Sequence, residues 1–270
     1  MRYSFIILIA GVVGPAVSSA PASAAAQQQT TTDSSADKKG VRKGAQQLTP
    51  VRVSAPRLRP SYAALQSFAA TRTDLPLRDT PRSVSILTRQ LIADQSMQSM
   101  ADVARYVPGV SMASGEGHRD APTIRGNSTT ADFFVDGARD DAQYLRDLYN
   151  AERVEVLKGP EALLFGRGGG GGVINRVTRQ AVWSPVGSIT SEAGSFDHKR
   201  FALDAGQALD QYVAARMNTM YEQSGGFREA ATLTRYGVNP TVALLAGPRT
   251  IVRLGYEFFN DERRVDRGVP

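Results

Sequence analysis

QYVAARMNTMYE, residues 211–222, changes character at almost every step. Val213, Ala215, Met217, Thr219 and Tyr221 fall on one side, and Arg216, Asn218 and Glu222 on the other. Successive side chains of an extended strand point to opposite faces, so this segment reads as a strand with one apolar and one charged face. The pattern recurs around it. Over 200–206, Phe201, Leu203 and Ala205 oppose Arg200 and Asp204. Over 234–245, Tyr236, Val238, Val242 and Leu244 oppose Arg235, Asn239 and Thr241. Over 250–259, Val252, Leu254, Tyr256 and Phe258 oppose Arg253 and Glu257. Strands of roughly 9–11 residues built this way fit a transmembrane β-barrel with a wet lumen. A soluble sandwich alternates too, but the strand length and an N-terminal leader favour the membrane. Trp183, Tyr221 and Tyr236 stand near strand ends, where interfacial aromatic girdles form. Short connections at 207–209 and 246–248 and a longer one at 224–233 match periplasmic turns and extracellular loops. Five strands are expected over 181–270. That is too few to close, so two edges would be unpaired in lipid and the wall reads as incomplete.

Upstream, residues 60–180 read as a small α+β domain. Ser83 to Leu87 is strand-like, and Thr88 is placed to cap a short helix through Ala93. Ser99 and Asp102 have the spacing of a capping box. Met100, Val103, Ala104 and Val107 then recur at helical spacing, ended by Pro108 and Gly109. Residues 123–125, 133–135 and 153–157 are further short strands, and Asp136-Gly137 is a type I′ turn signal. Pro160 is placed to start a short helix over 161–165.

The chain begins with Arg2, an apolar run over 5–13 and then small residues. Such a run is too short for a membrane helix but suits a secretory signal peptide, here residues 1–26. Residues 27–59 form a Gln/Thr/Ser/Lys-rich tether that cannot repay the entropy of ordering. Within it, LTPVRVSAP (residues 48–56) is a β-favouring patch bracketed by prolines, for which pairing with another protein's sheet edge is one use.

With 32 Lys+Arg against 26 Asp+Glu the chain is formally +6, but the excess lies entirely in the leader and tether. Everything after Arg59 is neutral, so a nucleic-acid groove in the folded part is not expected. The absence of cysteine excludes thiol chemistry and Cys-ligated metal, and two distant histidines, His118 and His198, are too few for a His-based metal site. No resident metal or cofactor is expected. GRGGGG, residues 166–171, formally matches a dinucleotide fingerprint, but a β-branched run follows it where a helix is required. Those glycines serve close backbone packing or a sharp reversal instead. Asp140-Asp141 has no third ligand at fixed spacing, and no catalytic constellation assembles. An enzyme is not expected.

DLPLRDTPRSVSILTRQLIADQ (74–95), ADVARYVPGV (101–110), TIRGN (123–127) and FFVDGARDDAQYLRDLYNAERVEVLKGPEALLFGRGGGGGVINRVT (133–178) occur in this order. The sequence from about Leu48 onward resembles the TonB-dependent outer-membrane receptors, in particular their ferric-siderophore branch. The resemblance implies an α+β plug domain (60–180) followed by antiparallel strands of a transmembrane β-barrel (181–270), which would total ~22 strands if complete. It makes the proline-bracketed patch a TonB box: Thr49, Pro50, Val51, Arg52, Val53, Ser54 and Ala55. Residues 27–47 are too few for the extra domain of the signalling subgroup. The implied activity is uptake of a ferric siderophore across the outer membrane, energised by TonB of the inner-membrane complex, with iron as cargo. The stretch FVDGARDDAQYLRD resembles the catecholate type, and His118, Arg119, Arg139, Tyr144 and Arg146 are the candidate ligand contacts, since Arg and Tyr suit anionic aromatic complexes. Arg125 and Arg153 resemble plug arginines that pair with glutamates of the barrel wall. An importer of another nutrient, such as a cobalamin or a glycan, and a plug fragment that only binds TonB are the alternatives.

Overall fold

The computed structural model describes residues 2–13, 62–65, 67, 76–130, 132–159, 165, 170–228, 231–247 and 250–265. The TonB box, the tether and the helix expected over 161–165, apart from Phe165, lie outside the described residues. The first strand, β1 (Arg2–Val13), is the apolar run read as a leader; in this chain it lies antiparallel to the last strand of the wall and pairs its backbone groups.

The plug follows from short elements. Strand β2 (Ser83–Thr88) leads into α1 (Arg89–Asp94), whose first turn is capped by Thr88 accepting from the Leu91 amide. Helix α2 (Met100–Ala104) starts at Ser99 with the full capping box: the Ser99 hydroxyl takes the Asp102 amide, and Asp102 takes the Ser99 amide. Its apolar stripe, Met100, Val103, Ala104 and Val107, is buried as the spacing requires. Strands β3 (Val110–Ala113), β4 (Ala121–Ile124) and β5 (Asn127–Ser128) form a three-stranded sheet. Strands β6 (Phe133–Val135), β7 (Ala138–Arg139), β8 (Ala151–Lys158) and β9 (Gly172–Thr178) join β2 in a second sheet of order β2-β8-β9-β6-β7. Asp136 and Gly137 both have positive φ between β6 and β7, as a type I′ turn demands. The core packs α1 and α2 on this sheet through Leu87, Ile92, Met100, Val103, Phe133, Val154, Val156 and Ile174.

Two glycines of the Gly-rich run are where backbones meet. A Cβ on Gly171 would lie 2.2 Å from the Ile124 carbonyl oxygen, and one on Gly172 2.2 Å from that of Leu157. The run thus seats the three-stranded sheet against the start of β9, which is a strand where a nucleotide site would need a helix. Gly172 also has φ +149°, so Gly172→Ala is expected to lower the plug's unfolding midpoint measurably in urea, by about 2 kcal/mol or more. An unchanged midpoint would show that β8 and β9 can separate freely.

The wall has the five strands expected: β10 (Val186–Gly194), β11 (His198–Ala208), β12 (Val213–Gly225), β13 (Thr232–Gly247) and β14 (Thr250–Arg263). They form an antiparallel meander of order β1-β14-β13-β12-β11-β10, which is not closed among the described residues. Arg200, Asp204, Arg216, Asn218, Glu222, Arg235, Asn239, Thr241 and Glu257 are buried on the plug side, while Phe201, Met217, Tyr221, Tyr236 and Leu254 are exposed on the other. Phe201 lies opposite Tyr221, and Tyr221 opposite Tyr236, so three strands carry one continuous aromatic row. Below it on β12, positions 213 to 221 span the height of a hydrocarbon band. Trp183 departs from the expectation. It packs with Ala181, Ala214 and Ala243 on the plug side rather than joining a girdle, because it precedes β10 and the small alanines leave room for the ring.

Candidate functional site

Two regions concentrate buried charge: the loops 114–120 and 140–146, and the contact between plug and wall. In the first, Arg146 is 2% exposed and fully engaged. Its Nε donates to Asp140 Oδ2 at 2.9 Å, its Nη2 to the carbonyls of Asp140 (3.0 Å) and Ala142 (2.8 Å), and its amide to Asp120 Oδ2 at 2.9 Å. The guanidinium lies 3.8 Å above the Phe133 ring and 4.4 Å from that of Tyr144. Tyr144 is equally enclosed, donating to Asp140 Oδ2 at 2.9 Å and packing on Phe259 of the wall. These two are corrections to the ligand candidates: a side chain wrapped by its own loop has no face for an incoming complex. Burial drives the Tyr144 phenol pKa up, and it drives the Asp120 carboxyl up to about 6 against the pull of Arg146.

His118 and Arg119 remain half-buried at the loop surface, where Arg119 Nη1 donates to Gln143 Oε1 at 3.1 Å. The Arg119–Gln143 and Asp120–Arg146 contacts bring the two loops together. Arg139 is held elsewhere: it donates to the Phe165 carbonyl at 3.2 Å and lies 5.1 Å from the Phe134 ring. Gln143, exposed and in contact with Arg119, joins the surface set, although nothing in its sequence context marked it.

The second region was not legible residue by residue. Asp147, fully buried, takes Arg200 of β11 through both carboxylate oxygens (2.8 and 2.9 Å) and Arg235 of β13 at 3.1 Å. Glu222 of β12 bonds the same two arginines, closing a four-residue cluster. Burial opposes the Asp147 charge, but Arg235 and Arg200 outweigh it and hold the carboxyl below the usual carboxylate range. Next to this cluster, Glu257 of β14 accepts from Arg176 (3.0 Å), Asn150 (3.0 Å) and Tyr149 (3.2 Å) of the plug. The Tyr149 ring lies where a Cβ on Gly237 would come within 2.8 Å, so that glycine of β13 leaves the space the tyrosine fills. Asp204 of β11 collects Arg216, Arg89 of α1 and Arg179, and Gln98 reaches Glu192 of β10 at 2.6 Å.

Arg125 and Arg153 do not take part. Arg125 is exposed in the turn between β4 and β5 at φ 51°, and Arg153 is bonded to Glu155 of its own strand at 2.7 Å. Among the described residues neither has a wall partner. Pairing of plug with wall falls instead to Asp147, Arg176, Arg89 and Arg179.

A plug docked by buried ion pairs on the polar face of a lipid-facing sheet is the arrangement of gated outer-membrane receptors, and residues 76–173 match the family model described as TonB-dependent receptor plug domain. The chain belongs to the TonB-dependent receptors. It is 36% identical over 211 residues to the probable TonB-dependent receptor BfrD of Bordetella pertussis, covering 76% of this chain and 28% of that one. To the catecholate siderophore receptor Fiu of Escherichia coli it is 32% identical, over 78% of this chain and 29% of that one. The crystal structure of the ferric-catecholate import receptor Fiu superposes with a TM-score of 0.71, covering 78% of this chain and 32% of that one. That of the siderophore receptor PiuA of Acinetobacter baumannii superposes with a TM-score of 0.66 at 31% identity, covering 75% and 30%. This TonB-dependent receptor chain therefore spans less than a third of the length of the relatives it matches: the plug and the first strands of the wall.

Proposed function

We propose that the chain is the N-terminal part of an outer-membrane receptor that takes up a ferric siderophore, of the catecholate class, with energy delivered by TonB to residues 49–55. The observation that carries the reading is the docked plug: a folded domain held against the inner face of a membrane wall by charge pairs that a pull could rearrange. The outer membrane offers neither ATP nor an ion gradient, so energy has to arrive mechanically from an inner-membrane complex. A TonB box that adds as a strand to its partner's sheet supplies that joint through backbone hydrogen bonds. Export, insertion into outer-membrane lipid and periplasmic exposure of the tether follow from the same reading. The receptor catalyses no covalent change; iron is its cargo.

The catecholate assignment rests on the likeness to Fiu and on the cationic loop surface at His118 and Arg119, which suits an anionic aromatic complex. Outer membranes from cells producing the receptor should bind a radiolabelled ferric catecholate, with excess unlabelled ferric catecholate competing at least tenfold better than ferric hydroxamate. Preference for the hydroxamate overturns the class. Competition by a cobalamin or an oligosaccharide, with no siderophore binding, overturns the cargo.

A further inference from the structure

The plug's first described residues are fastened to α1. Tyr62 Oη donates to Asp94 Oδ2 at 2.8 Å, across 32 positions of sequence. The other oxygen of that carboxylate accepts from Gln90 Nε2 at 2.7 Å, one turn back along α1, so Asp94 is oriented before Tyr62 arrives. The helix end is itself tied down, since Tyr106 Oη donates to Gln95 Oε1 at 2.7 Å. Three residues after Tyr62, a second fastening joins the Leu65 carbonyl to the Leu77 amide at 2.9 Å. Tyr62 is 53% exposed, so its bond competes with water and opens easily.

We infer that the Tyr62–Asp94 hydrogen bond is a clip that fixes where the tether leaves the plug and thereby sets how far the TonB box can reach. The inference rests on the reading of residues 49–55 as the segment that TonB grips. With the clip closed, seven residues separate Ala55 from its anchor, a contour of at most about 25 Å. With it open, the anchor moves to Leu65 and the contour grows to about 36 Å. Release of the Leu65–Leu77 bond leaves 22 residues, or about 79 Å at full extension. Reach is thus paid out in steps, and the first step is controlled by a bond weak enough to be opened by a small load.

The chain has no cysteine, so paired spin labels meet no background. Labels at Arg59→Cys and Ala93→Cys in the whole receptor chain should give one narrow distance distribution by double electron–electron resonance. Tyr62→Phe, which removes one oxygen from a half-exposed side chain, should broaden and lengthen it, and Asp94→Asn should act in the same direction. Equal breadth with and without the Tyr62 hydroxyl overturns the clip. Association of the purified periplasmic domain of TonB with Tyr62→Phe should be roughly three- to ten-fold tighter than with the parent, the range a surface hydrogen bond commands. Unchanged binding overturns the control of reach even where the clip exists. If that domain binds neither protein, the TonB-box reading fails, and the distance measurement still decides the clip.

Discussion

Asp147→Ala is expected to destabilise the docked plug by about 3 kcal/mol or more, the range found when one partner of a buried ion pair is removed. Asp147 is fully enclosed and is the plug's only carboxylate in the cluster described, so its loss leaves Arg200 and Arg235 sharing Glu222 alone, with one uncompensated charge away from water. The substitution also strips the acceptor from the Tyr149 amide, 2.7 Å away. Asn is expected to be nearly as harmful, because its amide nitrogen would face a guanidinium that can only donate. The partly exposed Arg89–Asp204 pair sets the contrast: Arg89→Ala should cost under about 1 kcal/mol, as Asp204 keeps Arg216 and Arg179. The pH dependence follows from the direction of the Asp147 shift. Its pKa is depressed in the folded chain, so its stabilisation is complete above the ordinary carboxylate range and is lost only as pH falls through the depressed value. The difference in melting temperature between parent and Asp147→Ala should be flat from about pH 5 to 8 and shrink in stronger acid. Equal melting temperatures at neutral pH would mean that the cluster does not hold the plug.

How much of this could be seen in the sequence depends on what the sequence pattern encodes. Period-two alternation reports which side of its own strand a residue takes, so Arg216, Asn218, Glu222, Arg235 and Glu257 were placed on the inner face without a structure. It does not report what stands across the gap. Asp147 sits in a plug segment with no periodicity, and its partners are 53 and more positions away, so neither spacing nor motif joins them. Capping is local, and the Thr88 and Ser99 caps formed as read. The Tyr144 and Arg146 readings failed for a related reason. Arg and Tyr in an outward loop suit an anionic aromatic ligand, but the same chemistry serves a loop that folds on itself, and Asp140 lies within six residues of both. Only burial separates those uses, and burial is a tertiary property. Trp183 shows the same limit, since an aromatic at a strand end can turn to lipid or to the lumen.

Val53→Pro is expected to abolish energised uptake while leaving ferric-siderophore binding at the parental level. Strand addition depends on backbone N–H groups, and in a strand these point alternately toward and away from the partner. Proline has no N–H to give, so the prolines already present mark the phase. Pro50 and Pro56 bracket the patch and share a parity, which assigns the non-donating side to 50, 52, 54 and 56. Donation to TonB then falls to Val51, Val53 and Ala55. On this argument Val51→Pro and Val53→Pro should each reduce uptake of a labelled ferric siderophore to the level of a TonB-deficient cell. Arg52→Pro should retain a measurable fraction, and Val53→Ala, which keeps the amide, should stay close to parental. A side-chain-reading partner would produce the opposite order, with Val53→Ala damaging and the parity of the proline irrelevant. Normal uptake by Val53→Pro would remove residues 49–55 from the energy-coupling path altogether.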